Sequence, residues 1–313
     1  MTEKIAVLLP CYNEELTIGK VVADFRKVLP EAEIYVYDNN STDNTFEVAK
    51  KAGAIVKREY KQGKGNVVRA MFRDIDADYY IMADGDDTYP AEEVEKLLEP
   101  LKLGYADMTI GDRLSNGTYS EENKRAFHDF GNTLVRNLIN GLYRAHYKDI
   151  MTGYRGFNKL FVKSFPVLSP GFEIETELSI HALDKRFNLV EVPIEYRDRP
   201  EGSESKLNTF SDGFKVLKTI FSLFKDYKPL IFFSLWTLFF FILGLMTGIP
   251  VISEFHKTGM ITKLPSAILA VGLIMIAMMS LVCGLILDTV ARKSRSQYEM
   301  DVQLLIYSLN KKE

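Results

Sequence analysis

At 313 residues the chain has room for one large domain or two smaller ones, and its 47% of hydrophobic residues is ordinary for a globular protein. The 39 Lys+Arg stand against 42 Asp+Glu, a formal net charge of -3, which excludes the broad basic field that a nucleic-acid backbone needs. Two cysteines, Cys11 and Cys283, exclude a disulfide framework or a zinc site and fit a reducing cytosol.

Strand patterns at 5–9, 34–37, 55–57 and 79–83 alternate with helical patterns at 15–28, 44–51 and 66–73. This alternation predicts an α/β fold with a mainly parallel sheet covered on both faces. The apolar run at 5–9 is too short for a signal peptide, so the first domain is expected to stay on the side of the membrane where it is made. In open sheets ligands bind beyond the carboxyl ends of the strands, and the segments after Leu9, Tyr37 and Ala83 are all polar and acidic.

Further along, 210–227 places Phe214, Leu217, Ile220, Phe221 and Phe224 on one helical face and Lys215, Lys218 and Lys225 elsewhere. That pattern reads as an interfacial helix in the headgroup layer, or as a helix packing on a core. The runs 230–253 and 264–287 carry no charge and are long enough to cross a hydrocarbon core of ~30 Å. Lysines 215, 218, 225 and 228 precede the first run, and Arg292, Lys293 and Arg295 follow the second, so the positive-inside bias puts both flanks in the cytoplasm. The expected organisation is a catalytic domain at 1–208, an interfacial helix at 209–228, two transmembrane helices at 229–288 and a cytosolic tail at 289–313. It predicts a multi-pass protein of the plasma membrane, in contact with membrane lipids. Gly244 and Gly248 offer a small-residue face for helix packing, and a homo-oligomer is expected.

The sharpest chemical signal is Asp84-Gly85-Asp86-Asp87, where carboxylates two apart leave the end of a buried strand through a glycine. Hard oxygen ligands suit Mg²⁺ or Mn²⁺, with Asp84 and Asp86 holding the ion and diphosphate oxygens and water completing its shell. Companion segments are Pro10-Cys11-Tyr12-Asn13-Glu14 and Asp38-Asn39-Asn40-Ser41-Thr42-Asp43. Tyr12 is suited to cover a base and Asp38 to accept from a base N–H, although 38–43 also reads as an Asx-turn and helix cap before Thr45. Gly63-Lys64-Gly65 opens a helix where backbone N–H groups and a lysine can meet a diphosphate; a solvated loop charge is the other reading of Lys64. Glu173, Glu175 and Glu177 are candidates for a general base, or the favourable acidic first turn of a helix.

These three ordered motifs resemble the nucleotide-sugar domain of inverting glycosyltransferases of family 2. The resemblance implies a GT-A fold with Pro10, Tyr12, Glu14, Asp38, Asn40, Lys64 and Asp84 around the nucleotide sugar. A second set, Gly111-Asp112-Arg113, 149–155, Val192-Pro193 and 199–207, is similar to dolichol-phosphate mannose synthases and bacterial polyprenyl-phosphate glucosyltransferases. That similarity implies that Arg113, Arg125 and Arg199 face a donor or lipid phosphate, with Asp84, Asp86 and Arg113 catalytic. It also places Ser205 and Lys206 of the Gly-x-x-Ser-Lys segment against the membrane, as lipid-phosphate ligands. The activity it implies is transfer of one sugar from UDP-glucose or another UDP-hexose to undecaprenyl phosphate with inversion, for cell-envelope glycans. The alternatives are a membrane transferase or synthase with a saccharide acceptor, and a non-catalytic nucleotide-sugar-binding anchor. Against a processive synthase, the only tryptophan, Trp236, lies inside the first apolar run rather than in a Gln-x-x-Arg-Trp segment.

Overall fold

A computed structural model describes residues 3–115, 126–200, 202, 218, 221–222 and 224–311. The chain divides into two compact units, one ending at Val216 and the other spanning Leu217–Lys311.

The first unit is built on a seven-stranded sheet. Its strands are β1 (Ile5–Cys11), β2 (Glu33–Asp38), β3 (Ile55–Arg58), β4 (Tyr79–Met82), β5 (Met108–Asp112), β6 (Arg155–Asn158) and β7 (Leu189–Pro193), in the order β3-β2-β1-β4-β6-β5-β7. Strand β1, IAVLLPC, is buried along its whole length, as a central parallel strand covered on both faces requires. Its side chains alternate between two cores. Val7 and Leu9 meet helices α1 (Ile18–Val28), α2 (Thr45–Lys51) and α4 (Val94–Lys102), whereas Ala6 and Leu8 meet α3 (Lys64–Asp74). After α5 (Ala126–Tyr143), α6 (Lys159–Ser164) and α7 (Ile174–Asp184) complete the second layer through Phe161 and Leu178. Lys57 and Arg58 keep the exposed edge strand β3 charged, which discourages pairing with another chain.

One reversal positions the site. Strand β6 runs antiparallel to both neighbours, and Arg155 at its start pairs with Met82 and with Ile110. The loop that leads into β6 therefore arrives beside the carboxyl ends of β4 and β5, where parallel neighbours would have placed the end of a strand.

The second unit holds two long helices, α8 (Pro229–Thr258) and α9 (Leu264–Asn310), each long and apolar enough to cross a membrane. Leu238, Met246, Ile268 and Met278 among others are more than half exposed, so the outer surface of the hairpin is apolar, as a candidate membrane span requires. Within the hairpin a Cβ on Gly244 would approach Ile274 Cγ1 to 2.9 Å, one on Gly248 would approach Ala270 to 3.3 Å, and one on Gly284 would approach Phe233 to 2.9 Å. Small residues thus let the two backbones close on each other, and the Gly244–Gly248 face is used inside the chain. Residues 289–310, expected as a tail, continue α9 without a break. At about 1.5 Å per residue the 47 residues of α9 measure about 70 Å, roughly twice the hydrocarbon thickness. Most of the expected interfacial helix lies outside the described residues, as do Arg125, Ser205 and Lys206.

Candidate active site

The turn after β4 is shaped by what fits behind it. A Cβ at Gly85 would stand 2.5 Å from Cys11 Sγ, so only glycine allows the turn to pack on β1, and Thr17 Oγ1 donates to Gly85 O at 2.7 Å. The three carboxylates it carries have different partners. Asp84 Oδ1 binds Lys64 Nζ, which also meets Glu175 Oε1 at 2.6 Å. Asp86 is buried; its Oδ1 accepts from Thr88 Oγ1 at 2.6 Å and its Oδ2 meets Arg199 Nη2 at 2.5 Å. Asp87, in the left-handed region at φ 63°, turns away to pair with Lys20 at 2.7 Å.

Beyond β1 and β2 lie the other expected nucleotide contacts. Pro10 is still within β1, Tyr12 is 36% exposed, and Asn13 and Asn40 both take positive φ. Asn13 N donates to Ser41 Oγ, Thr42 N to Asn13 Oδ1, and Glu14 N to Thr45 Oγ1 at 2.8 Å, so the two loops are laced together. Asp43 accepts from Thr45 N at 3.0 Å, the Asx-turn that was part of the other reading of this segment. Asp38 is fully buried, and its carboxylate accepts from Ser41 N at 3.1 Å and Arg58 Nε at 3.0 Å. Its neighbour Asn39, to which the sequence reading gave no role, donates to Glu59 O and Lys61 O and accepts from Gly63 N, tying the β3–α3 loop to β2.

Glycines 63 and 65 serve a close approach. A Cβ at Gly63 would fall 2.2 Å from Pro170 O, and one at Gly65 would fall 1.9 Å from Ser169 O. Gly65 N donates to Gly171 O and Asn66 N to Pro170 O, each at 3.2 Å. Two of the backbone N–H groups expected to meet a diphosphate are thus already occupied by carbonyls, and the Lys64 ammonium is the charged group at this helix start that can serve that purpose. Arg69 donates to Val167 O and Leu168 O, a structural task.

The loop into β6 supplies the other half. Arg113 grips Asp149 with two bonds, Nε–Oδ2 at 2.7 Å and Nη2–Oδ1 at 3.0 Å, and lies over the Tyr196 ring at 5.5 Å. Tyr89 joins this pair to the acidic turn. Its hydroxyl accepts from Gly153 N at 3.0 Å and meets Arg113 Nη1 at 3.4 Å, and Gly153 has no room for a side chain because a Cβ would touch Asp84 Oδ2 at 2.6 Å. Underneath, fully buried Arg155 donates to Thr152 O at 3.0 Å, Ser179 Oγ at 3.0 Å and Ile150 O, and burial pushes its guanidinium down to about 10. Glu191 Oε1 holds the loop's other end by accepting from Lys148 N and Asp149 N. Tyr89, Arg155 and Glu191 had no individual role in the sequence reading; the only local signal was that charged or polar residues recur in otherwise apolar strand sequence.

Burial, followed by the neighbouring Asp84 charge, pushes the Asp86 carboxyl up, and the Arg199 guanidinium opposes this. Burial would lower the Lys64 ammonium, but Asp84 and Glu175 outweigh it and hold it above the ordinary lysine range. The acidic pair fits a hard divalent cation. Both residues offer oxygen, their negative charge is concentrated, and Asp84 Oδ2 accepts no hydrogen bond among the described residues. No group of three or more His, Cys, Asp or Glu gathers around them among the described residues, so a cation there would complete its shell from water and diphosphate oxygens.

The sheet and its acidic turn define an α/β domain, and residues 6–164 match Glycosyl transferase family 2. Glycosyltransferase AglJ of Haloferax volcanii is 34% identical over 74% of this chain and 76% of its own length. Dolichyl-phosphate hexose transferase of the same organism is 33% identical, covering 70% of this chain and 92% of its own. Among solved structures, glucosyl-3-phosphoglycerate synthase from Mycobacterium tuberculosis in complex with Mn²⁺, UDP-glucose and phosphoglyceric acid superposes with a TM-score of 0.56 at 22% identity, over 71% of this chain and 80% of that one, a likeness of fold. This chain belongs to glycosyl transferase family 2.

Proposed function

We propose that the protein transfers one hexose, from UDP-glucose or another UDP-hexose, to undecaprenyl phosphate or a similar polyprenyl phosphate, with inversion. The observation that carries this reading is the pair of guanidiniums at the acidic turn, Arg199 on Asp86 and Arg113 on Asp149 beside Tyr89. An acceptor that is itself an ionised phosphate needs cations to position it and no strong base to activate it. Its oxygen bonds to the anomeric carbon from one side as the bond to the donor's β-phosphate oxygen breaks on the other, and no proton has to be removed. Pro10, Tyr12, Glu14, Asp38 and Asn40 surround the nucleoside end, and Lys64 faces the diphosphate. Asp84 and Asp86 would hold a Mg²⁺ or Mn²⁺, which would supply electrophilic stabilisation of the leaving diphosphate. Arg113 and Arg199, with Arg125, Ser205 and Lys206, orient the lipid phosphate, which supplies proximity rather than acid–base catalysis. The name of the dolichyl-phosphate relative supports the acceptor, and the Mn²⁺ and UDP-glucose of the structural neighbour support the donor.

The test is a panel of radiolabelled UDP- and GDP-sugars incubated with membranes that contain the protein and polyprenyl phosphate. Label is expected to enter the organic phase as a lipid-monophosphate sugar; label appearing only in water-soluble saccharide would overturn the acceptor. Helices α8 and α9 would anchor the catalytic unit in the plasma membrane with both termini cytosolic and residues 254–263 outside. A cysteine introduced at residue 256 should then react with an impermeant thiol reagent added to intact cells, and protection there would reverse the topology.

A further inference from the structure

Three acidic side chains around the start of α7 have separate surroundings. Glu177 is buried and accepts from Leu168 N at 3.0 Å and Ser169 N at 2.8 Å, which fixes the loop against α3. Glu173 Oε2 is buried and has no hydrogen-bond partner among the described residues. Glu175 alone reaches the acidic turn, through the Lys64 ammonium it shares with Asp84.

We propose that Glu175 is the positioning residue for Lys64, holding its ammonium toward the donor diphosphate once Asp84 is engaged with a divalent cation. The proposal rests on the donor-site reading above. Lys64 and Glu175 are nearly enclosed, at 9% and 7% side-chain exposure, whereas Asp84 is 28% exposed and has one oxygen without a hydrogen bond among the described residues. An ammonium shared by two carboxylates keeps a counter-ion when one of them is recruited elsewhere. Without Glu175, Lys64 would face a divalent cation at Asp84 as a bare like charge, and would be driven from the cleft by repulsion and by the cost of an unpaired buried charge. The carbonyls of Gly171 and Pro170 already occupy the Gly65 and Asn66 N–H groups of α3, so those two amides do not replace the lysine.

The experiment is calorimetric titration of the full-length protein, in detergent micelles with MnCl₂, using UDP and GDP in turn. For whichever nucleotide binds, Glu175→Gln should weaken binding by about tenfold, about 1.4 kcal/mol, with Glu175→Asp restoring part of it. Lys64→Gln should weaken binding to a similar extent, and the double variant should be no worse than either single one, because the two side chains act as a unit. Melting temperatures, measured in parallel, separate binding from folding: a folded Glu175→Gln protein with unchanged nucleotide affinity overturns the proposal. So does a Glu175→Gln variant whose only defect is a lower kcat, since that is the behaviour of a general base. Binding of neither nucleotide to the unsubstituted protein would remove the donor-site reading and this inference with it.

Discussion

Asparagine in place of Asp86 is expected to lower sugar transfer by about two to three orders of magnitude, the usual cost of losing one preorganised charge at a reacting centre. The substitution keeps an oxygen that can accept from Thr88, so the turn should still form. It removes the formal charge that would hold the cation and that now balances Arg199 at 2.5 Å. Transfer assayed with saturating MnCl₂, beside a far-ultraviolet dichroism spectrum of the same sample, distinguishes loss of chemistry from loss of fold. EDTA should abolish the activity of the unsubstituted protein and added Mn²⁺ or Mg²⁺ should restore it. Undiminished transfer in chelator would refute the metal assignment.

The second large effect is on stability. Arg113 and Asp149 are 10% and 4% exposed at their side chains, and the pair is bidentate. Removing one member of a buried ion pair strands the other, at a cost of roughly 3–5 kcal/mol. Asp149→Ala should therefore lower the melting temperature of the full-length protein by on the order of 10 °C and reduce transfer as well, because the β5 end loses the anchor for its guanidinium. Asp149→Asn, which keeps one acceptor, should fall between. A melting temperature within a degree or so of the unsubstituted value for Asp149→Ala would mean that Tyr89 and Tyr196 suffice to hold Arg113.

The strands and helices up to β4 were legible because each is local: a short β-branched or apolar run or an amphipathic period, closed by glycine, asparagine or aspartate. Errors at the ends were small and physical. The expected helix from Glu15 begins at Ile18, since Glu14 O accepts from Thr17 N and Ile18 N in a turn that precedes it. Asp84 and Asp86 were legible as a pair, but their partners were not. Glu175 meets Lys64, and Arg199 meets Asp86, across more than a hundred residues of chain, and no spacing rule connects them. The sequence also offered Lys64 as a solvated loop charge and Glu175 as part of the acidic first turn of a helix, and only the sheet order, with antiparallel β6 between β4 and β5, folds the loop before β6 back over the turn. Gly153 illustrates the point: nothing in Met151-Thr152-Gly153-Tyr154 indicates that its missing side chain makes room for Asp84.

The pairing of charges in the cleft also bears on how a donor reaches it. Lys64, Arg113 and Arg199 stand against Asp84, Asp86, Asp149 and Glu175, which leaves one negative charge in excess when all are ionised. Without a divalent cation such a cleft projects little attractive potential into solvent, so these side chains alone give an anionic nucleotide no electrostatic steering; a cation at Asp84 and Asp86 would reverse the sign of the excess. In the absence of divalent cation the association rate should vary little with ionic strength, unlike that of an enzyme whose phosphate site displays bare cations to the bulk. Recognition here is confined to short range, where a ligand must exchange partners with groups that are already satisfied, and discrimination among anions is decided at contact rather than during encounter.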